Sequence, residues 1–264
     1  MKKVRLDQRV FELGFTESRE RAKTTVMSGI VFVNGQRADK PGMPVDPDAD
    51  IEVRGVALPF VSRGGFKLDK ALKVFPIDPA GKTCIDCGAS TGGFTDVLLR
   101  HGAARVYAVD VGYGQLAWKL RNDERVINLE RTNLRYVTEE QIPELLDIAV
   151  MDVSFISVKL VLPAVQRLLK PDADIVCLIK PQFEAGREEV GKKGVVRDSA
   201  VHKEVIRSVL DFAPGIGLTP VGLDFSPIKG PEGNIEYICH LKNGDFAAPQ
   251  LDVDAVVAAS HEAL

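Results

Sequence analysis

An acidic residue, a glycine-rich turn and a helix start follow one another in residues 86–96, DCGASTGGFTD. Glycines let a backbone approach a ligand closely, and a helix N-terminus offers free N–H donors. The stretch therefore suits a nucleotide-like cofactor. Its loop reads G-A-S-T-G-G, where a dinucleotide fingerprint requires G-x-G-x-x-G. Ser90 stands where the middle glycine would make room for a pyrophosphate, and no G-K-[ST] phosphate loop occurs. Asp86 precedes the turn, and Asp110 follows a second apolar run in VDVGYG. An acid at the second position can accept both ribose hydroxyls. This pattern fits S-adenosylmethionine (SAM), which has a ribose to grip and an ammonium and a sulfonium to balance, but no phosphate.

Further reactive side chains stand where other apolar runs end: Asp152 in DVSFIS, Lys180 in IKPQFE and Glu236 in GNIEY. Lys67 opens a helical pattern in SRGGFKL, where Gly64 and Gly65 are expected to turn the chain and aim it. To gather these residues the chain needs a sheet. Strands are predicted at 82–86, 104–109, 125–129, 147–151, 173–179, 219–224 and 235–241, and helices at 93–101, 115–122, 138–145, 158–169 and 200–212. Alternation of this kind predicts an α/β fold with a parallel sheet and helices on both faces. The last two strands are close in sequence and are expected to pair antiparallel at one edge. Ligands in such sheets sit at the carboxyl ends of the strands.

The first sixty residues differ in character. Leu6, Val10 and Leu13 fall at helical spacing, and Gly14 is expected to end that helix. Thr16 is the expected cap of a second helix carrying Arg19, Arg21 and Lys23. Ile30–Val33 reads as a strand, Asn34-Gly35 as a tight hairpin turn, and residues 51–53 as a closing strand. Residues 1–40 hold nine Lys/Arg against five Asp/Glu, although the whole chain carries a net charge of −3. A basic head can hold phosphates even on an acidic protein. The boundaries expected are a small α+β domain at 1–58, a linker at 59–62, the large domain at 63–245 and a tail at 246–264. The polar stretch 184–199 reads as a mobile loop after Lys180, with Arg187, Lys192, Lys193 and Arg197 available to phosphates.

The totals exclude some classes. No apolar run approaches the ~20 residues needed to cross a bilayer. The basic start has no signal-peptide core, so the cytoplasm is the expected compartment. Cys84, Cys87, Cys177 and Cys239 lie in strand-like runs and lack a second close pair for zinc, so buried reduced thiols and no metal are expected.

RLDQRVFELGFTESRERAKTTVMSGIVFVNG resembles the RNA-binding domain first named from a small-subunit ribosomal protein. That likeness implies a rigid helix whose arginines position structured RNA through its phosphates and shape, with Arg5, Arg19, Arg21, Lys23 and Arg63 as RNA-binding residues. Lys67, Asp152, Lys180 and Glu236 resemble the K-D-K-E tetrad of FtsJ-type ribose 2′-O-methyltransferases, with a Rossmann-like class I SAM-dependent fold. Together with DVGYGQLAWKLR and ERTNLR, the whole chain resembles the TlyA family, also called haemolysin A. The likeness implies methylation of cytidine 2′-hydroxyls in ribosomal RNA, with SAM as donor. It places the cofactor against Asp86, Gly88, Ala89, Ser90, Gly92, Phe94, Asp110, Asn133 and Asp152, and the catalytic residues at Lys67, Asp152, Lys180 and Glu236.

A ribose 2′-hydroxyl must lose its proton as it attacks. A lysine serves as base only if its pKa falls well below the free value of ~10.4. Burial and a second lysine both push in that direction. Lys180 is the expected base, with Lys67 and Asp152 tuning it and Glu236 orienting a lysine or the ribose. Phe155 and Phe183 are read either as stacking platforms for a base or as core. Two other functions remain open on the sequence: a non-catalytic ribosome-assembly factor, and a haemolysin.

Overall fold

The computed structural model describes residues 3–13, 15–16, 18–47, 49–54, 59–191, 194–230 and 232–264. Gly14, part of the expected connector (residues 56–58), Lys192 and Lys193 lie outside them. The chain divides into two compact units, residues 1–65 and 66–264.

In the first unit, β1 (Val4–Arg5) leads into α1 (Leu6–Glu12), followed by α2 (Arg19–Met27) and the strands β2 (Val31–Val33), β3 (Gln36–Arg37), β4 (Pro44–Val45) and β5 (Ile51–Val53). Strand β2 pairs antiparallel with both β3 and β5, and β1 pairs with β4, a bridge the sequence reading did not contain. Asn34 and Gly35 take φ of 50° and 76°, the two positive values a tight hairpin turn requires. Leu6, Val10, Ala22, Val26 and Val31 form the core, whereas Leu13 is exposed. Thr16 is not the cap of α2. Ser18 is, its hydroxyl accepting from the Arg21 N–H at 3.1 Å.

The second unit opens with α3 (Gly65–Val74) and runs through β6 (Thr83–Cys87), α4 (Gly93–Arg100), β7 (Arg105–Val109), α5 (Trp118–Arg121), β8 (Val126–Leu129) and β9 (Leu146–Met151). It continues through α6 (Leu162–Gln166), β10 (Leu169–Ile179), α7 (Pro181–Glu184), α8 (Ser199–Phe212), β11 (Leu218–Phe225), β12 (Tyr237–Asn243) and α9 (Val253–Ala263). One seven-stranded sheet has the order β11-β12-β10-β9-β6-β7-β8. Strands β10, β9, β6, β7 and β8 run parallel, while β12 is antiparallel to β10 and to β11. Each central strand carries a buried apolar run, Val106–Val109 in β7, Ile148–Met151 in β9 and Ile175–Ile179 in β10, as a sheet covered on both faces requires.

Three helical expectations fail. Residues 138–145 make one turn around buried Ile142, because Pro143 cannot continue a helix. The 115–122 helix shrinks to α5, and the 158–169 helix breaks into a 3-10 turn and α6, with Leu169 already in β10. All four cysteines are buried and unbridged. Among the described residues, no helix is long and apolar enough to cross a membrane.

Candidate active site

The parallel strands present their carboxyl ends to one edge of the sheet, and the first residue past each strand lands there. Asp152 follows β9 and Lys180 follows β10. Strand β12 runs the other way, so its first residues reach the same edge. Ile179 faces Tyr237 across the ladder, and continuing that register sets Lys180 opposite Glu236. Lys67 arrives from the first turn of α3. A turn closed by the Gly65 N–H on the Ser62 carbonyl at 3.1 Å leads into α3, as expected for Gly64 and Gly65, and a Cβ on Gly65 would lie 2.5 Å from the Phe60 ring.

These four side chains meet. Lys67 Nζ donates to Glu236 Oε2 at 2.5 Å and to Asp152 Oδ2 at 3.3 Å. Lys180 Nζ lies 2.6 Å from Asp152 Oδ1 and donates to Ser154 Oγ at 2.9 Å. Lys67, Lys180 and Glu236 are almost fully buried. Burial opposes a charge on Lys67, but the Asp152 and Glu236 carboxylates outweigh it and hold the pKa above its ordinary value. Burial likewise works against the Asp152 carboxylate, and the two lysines overcome it and lower its pKa. The lysines are therefore not equivalent. Lys67 is pinned between two carboxylates, whereas Lys180 shares one carboxylate and reaches a neutral hydroxyl.

The glycine turn closes over the neighbouring edge. Gly88 has φ of 85°, and a Cβ there would stand 2.9 Å from the Asp152 carbonyl oxygen. Only glycine fits where the turn crosses the chain carrying Asp152. Ser90 takes φ of 47°, so it adopts the left-handed conformation of the glycine it replaces. Gly92 caps α4, while Ala89 and Phe94 are buried beside the turn. Asp110 accepts the Ser90 N–H at 2.8 Å through one oxygen and the Gly112 N–H at 2.7 Å through the other. Asp86 is buried at 1% exposure. Its Oδ2 accepts from the Thr95 N–H and hydroxyl at 2.9 and 2.7 Å, and its Oδ1 is buried with no partner. Burial pushes its pKa up to about 7 against the two Thr95 bonds, and Asp152 and Asp110 push the same way. Asn133 caps a 3-10 turn by accepting the Arg135 N–H, and the preceding Thr132 N–H donates to the Asp110 carbonyl at 3.0 Å.

Two aromatic residues border the tetrad. Phe155 is 92% exposed, with φ of 64°. Its ring lies 5.2 Å from that of Phe183. Neither ring position nor exposure makes Phe155 a core residue.

Within the first unit, Asp7 is fully buried and takes both forks of Arg5, at 3.0 and 2.9 Å, with Arg19 at 3.8 Å. Arg21 donates to the Phe60 carbonyl at 2.9 Å. Lys23 and Arg63 are exposed. Among the described residues there is no cluster able to hold a metal ion.

The sequence reading missed Ser154, which receives Lys180, and Glu184. The Glu184 carboxylate accepts the Ser157 hydroxyl and the Val158 N–H, both at 2.7 Å. It ties the segment after Lys180 to the segment after Asp152. Both residues lie inside quoted motifs, but nothing in their spacing shows that the two loops touch.

The FtsJ-like methyltransferase model matches residues 60–243, and the S4 domain matches residues 4–51. YqxC of Bacillus subtilis, which is named as an rRNA methyltransferase, is 50% identical over 270 residues, covering 100% of this chain and 96% of its own. The 16S/23S rRNA (cytidine-2′-O)-methyltransferase TlyA of Mycobacterium tuberculosis is 47% identical, over 91% of this chain and 90% of its own. A solved structure from Streptococcus thermophilus that carries the name hemolysin superposes with a TM-score of 0.79 at 47% identity, covering 100% of this chain and 97% of that one. The chain belongs to the FtsJ-like methyltransferases and, within them, to the TlyA family.

Proposed function

We propose that this protein methylates the ribose 2′-hydroxyl of cytidine in ribosomal RNA, with SAM as donor. The observation that carries the reading is the unequal pair of buried lysines, Lys67 between two carboxylates and Lys180 beside Asp152 and Ser154. The acceptors around the glycine turn suit the cofactor. The unpartnered Asp86 Oδ1 is an acceptor and a negative charge for a cationic ligand, and each Asp110 oxygen keeps a lone pair beyond the backbone N–H it already takes. Asp86, Gly88, Ala89, Ser90, Gly92, Phe94 and Asp110 would hold SAM, which when bound supplies a methyl group carried on a sulfonium. Asn133 and Asp152 complete the proposed cofactor set.

Lys180 Nζ, as the neutral amine, would take the 2′-hydroxyl proton as the ribose oxygen attacks, and would hold it as an ammonium beside Asp152. Asp152 holds Lys180 in place through Oδ1 and Lys67 through Oδ2. Lys67 stays charged and keeps the carboxylates from facing the developing alkoxide unpaired. Glu236 fixes Lys67. Burial keeps water from competing for the proton, and alignment supplies much of the rate. The exposed Phe155 ring, held in a strained backbone conformation, offers a face for stacking the target base. The first unit is the proposed RNA-binding domain, with the 1–58 and 63–245 boundaries expected from the sequence.

The test is methyl transfer from labelled SAM to isolated ribosomal subunits. Lys180→Ala should lower the rate about 10²–10⁴-fold, the usual contribution of a positioned base, and still bind SAM in calorimetry. Retention of most of the activity would remove Lys180 as the base. A wild-type protein that transfers nothing to ribosomal RNA would remove the function.

A further inference from the structure

Between Lys180 and α8 the chain includes residues 185–191 and 194–198. The start of this segment is fixed by Glu184, whose carboxylate binds Ser157 and Val158. Its end enters α8, where Asp198 caps the helix by accepting the Ala200 N–H at 2.8 Å. Between these anchors Val196 is 2% exposed, while Arg187 and Arg197 point into solvent. Apolar burial alone would not fix a backbone so rich in glycine.

What fixes it is Asn234, two residues before Glu236. The side chain is 1% exposed. Its Oδ1 accepts the Val196 N–H at 3.0 Å, and its Nδ2 donates to the Gly194 carbonyl at 2.8 Å. One carboxamide thus satisfies a donor and an acceptor two residues apart, as a neighbouring strand would. The Val196 carbonyl is taken as well, by His202 Nε2 at 3.1 Å. A carbonyl only accepts, so that nitrogen carries the hydrogen. His202 Nδ1 is then free to accept from the Tyr237 hydroxyl at 2.8 Å.

The same asparagine touches the tetrad's support through its backbone. Its carbonyl accepts the Gly230 N–H at 2.9 Å. Gly230 lies against Glu236, since a Cβ there would stand 2.7 Å from Glu236 Oε1. Side chain and backbone of Asn234 therefore join the arginine-bearing segment to the carboxylate that fixes Lys67.

We infer that Asn234 is a positioning residue, which locks residues 194–198 and the Glu236 carboxylate into one arrangement for methyl transfer. Its side chain is buried, and its oxygen and nitrogen are both taken by the Gly194–Val196 backbone. This rests on the methyltransferase reading above. Replacing Asn234 leaves Val196 N–H and Gly194 C=O without partners and unties the segment, while the glycine turn that would hold SAM is untouched.

The experiment compares wild type with Asn234→Ala and Asn234→Asp. Limited trypsinolysis, followed by mass spectrometry, reads the cleavage rate at Arg187 and Arg197 relative to sites in the first unit. Transfer to ribosomal subunits gives kcat and KM, and calorimetry gives SAM affinity. Asn234→Ala should raise cleavage at the two arginines tenfold or more and lower kcat at least tenfold, with SAM affinity within twofold of wild type. Asn234→Asp keeps the acceptor for Val196 and loses the donor to Gly194, so its cleavage rate should fall between the two. It also keeps the test decisive if the alanine variant does not fold. Unchanged protection at Arg187 and Arg197, or loss of protection with unchanged kcat, would overturn the inference. Failure of the wild type to transfer methyl would instead overturn the function, because the cleavage rates report on the lock without any activity.

Discussion

Asp86 is enclosed on every side, and one of its two carboxylate oxygens meets no donor. Burial lifts its pKa to about 7. A carboxyl whose folded value lies above its unfolded one stabilises the fold while it stays protonated. That contribution is complete below the unfolded value of ~3.9 and is lost as the pH rises through about 7. A shift of about three units, at 1.36 kcal/mol each, corresponds to on the order of 4 kcal/mol. The ligand-free protein should therefore lose stability in urea unfolding as the pH rises from about 4 to 8. Asp86→Asn keeps an acceptor for both Thr95 donors and should flatten that loss. It also turns the orphan acceptor into a donor, so SAM affinity should drop more than tenfold. Unchanged affinity would take Asp86 out of the cofactor site. Phe155 gives a second expectation of opposite sign. Its positive φ costs about 1 kcal/mol or more, and its ring is almost fully exposed. Phe155→Gly should leave stability unchanged or raise it by up to about 1 kcal/mol, part of the relief being offset by chain entropy. It should lower kcat/KM for RNA by the ~1–3 kcal/mol of one stacked base. Equal activity would show that the ring packs without stacking.

At the scale of elements, the site is made by strand ends crossing closely. Gly88→Ala would set a Cβ 2.9 Å from the Asp152 carbonyl at φ of 85°. It should destabilise the protein by on the order of 2 kcal/mol or more in urea unfolding and lower methyl transfer as well, because Asp152 carries both lysines. A stable, active variant would mean that the crossing relaxes freely. All seven strands of the sheet were legible in the sequence, because each holds a short apolar run between turns. So was the tetrad's place, since residues just past such runs must share an edge. Helices were harder. Residues 138–145 have a helical spacing of apolar side chains, yet Pro143 limits them to one turn. Ile142 is buried by tertiary packing and not by a helix face. The β1–β4 bridge is only two residues long on each side and has no periodicity to read. What joins loop to loop was invisible for a different reason. Ser154, Glu184 and Asn234 act on partners up to 40 residues away in the chain, and spacing carries no trace of such contacts.

For the whole molecule, the question is which charges of the first unit meet RNA and which hold the unit together. Arg5 grips fully buried Asp7 with both forks, and Asp7 has a lowered pKa because Arg5, the Gln8 N–H and Arg19 outweigh the burial that raises it. Removing Arg5 would strip a buried carboxylate of its main partner, so a loss of RNA affinity in that variant would be confounded with a loss of stability. Arg21 is similarly engaged with the Phe60 carbonyl. Arg19 contacts Asp7 only at 3.8 Å with half its side chain exposed, and Lys23 is exposed on the same helix. These two are the better probes. A phosphate contact releases counterions, so the slope of log affinity against log salt shrinks by about 1 for each contact removed. The Arg19→Ala/Lys23→Ala double variant should bind ribosomal subunits more weakly and with a slope shallower by about 1–2. Its SAM affinity should stay at the wild-type level, since neither residue lies in the unit that carries the tetrad, and its unfolding midpoint should fall only slightly, because Asp7 keeps both Arg5 contacts. An unchanged slope would mean that α2 displays solvated charge only, and that the RNA is held by other surfaces of the protein.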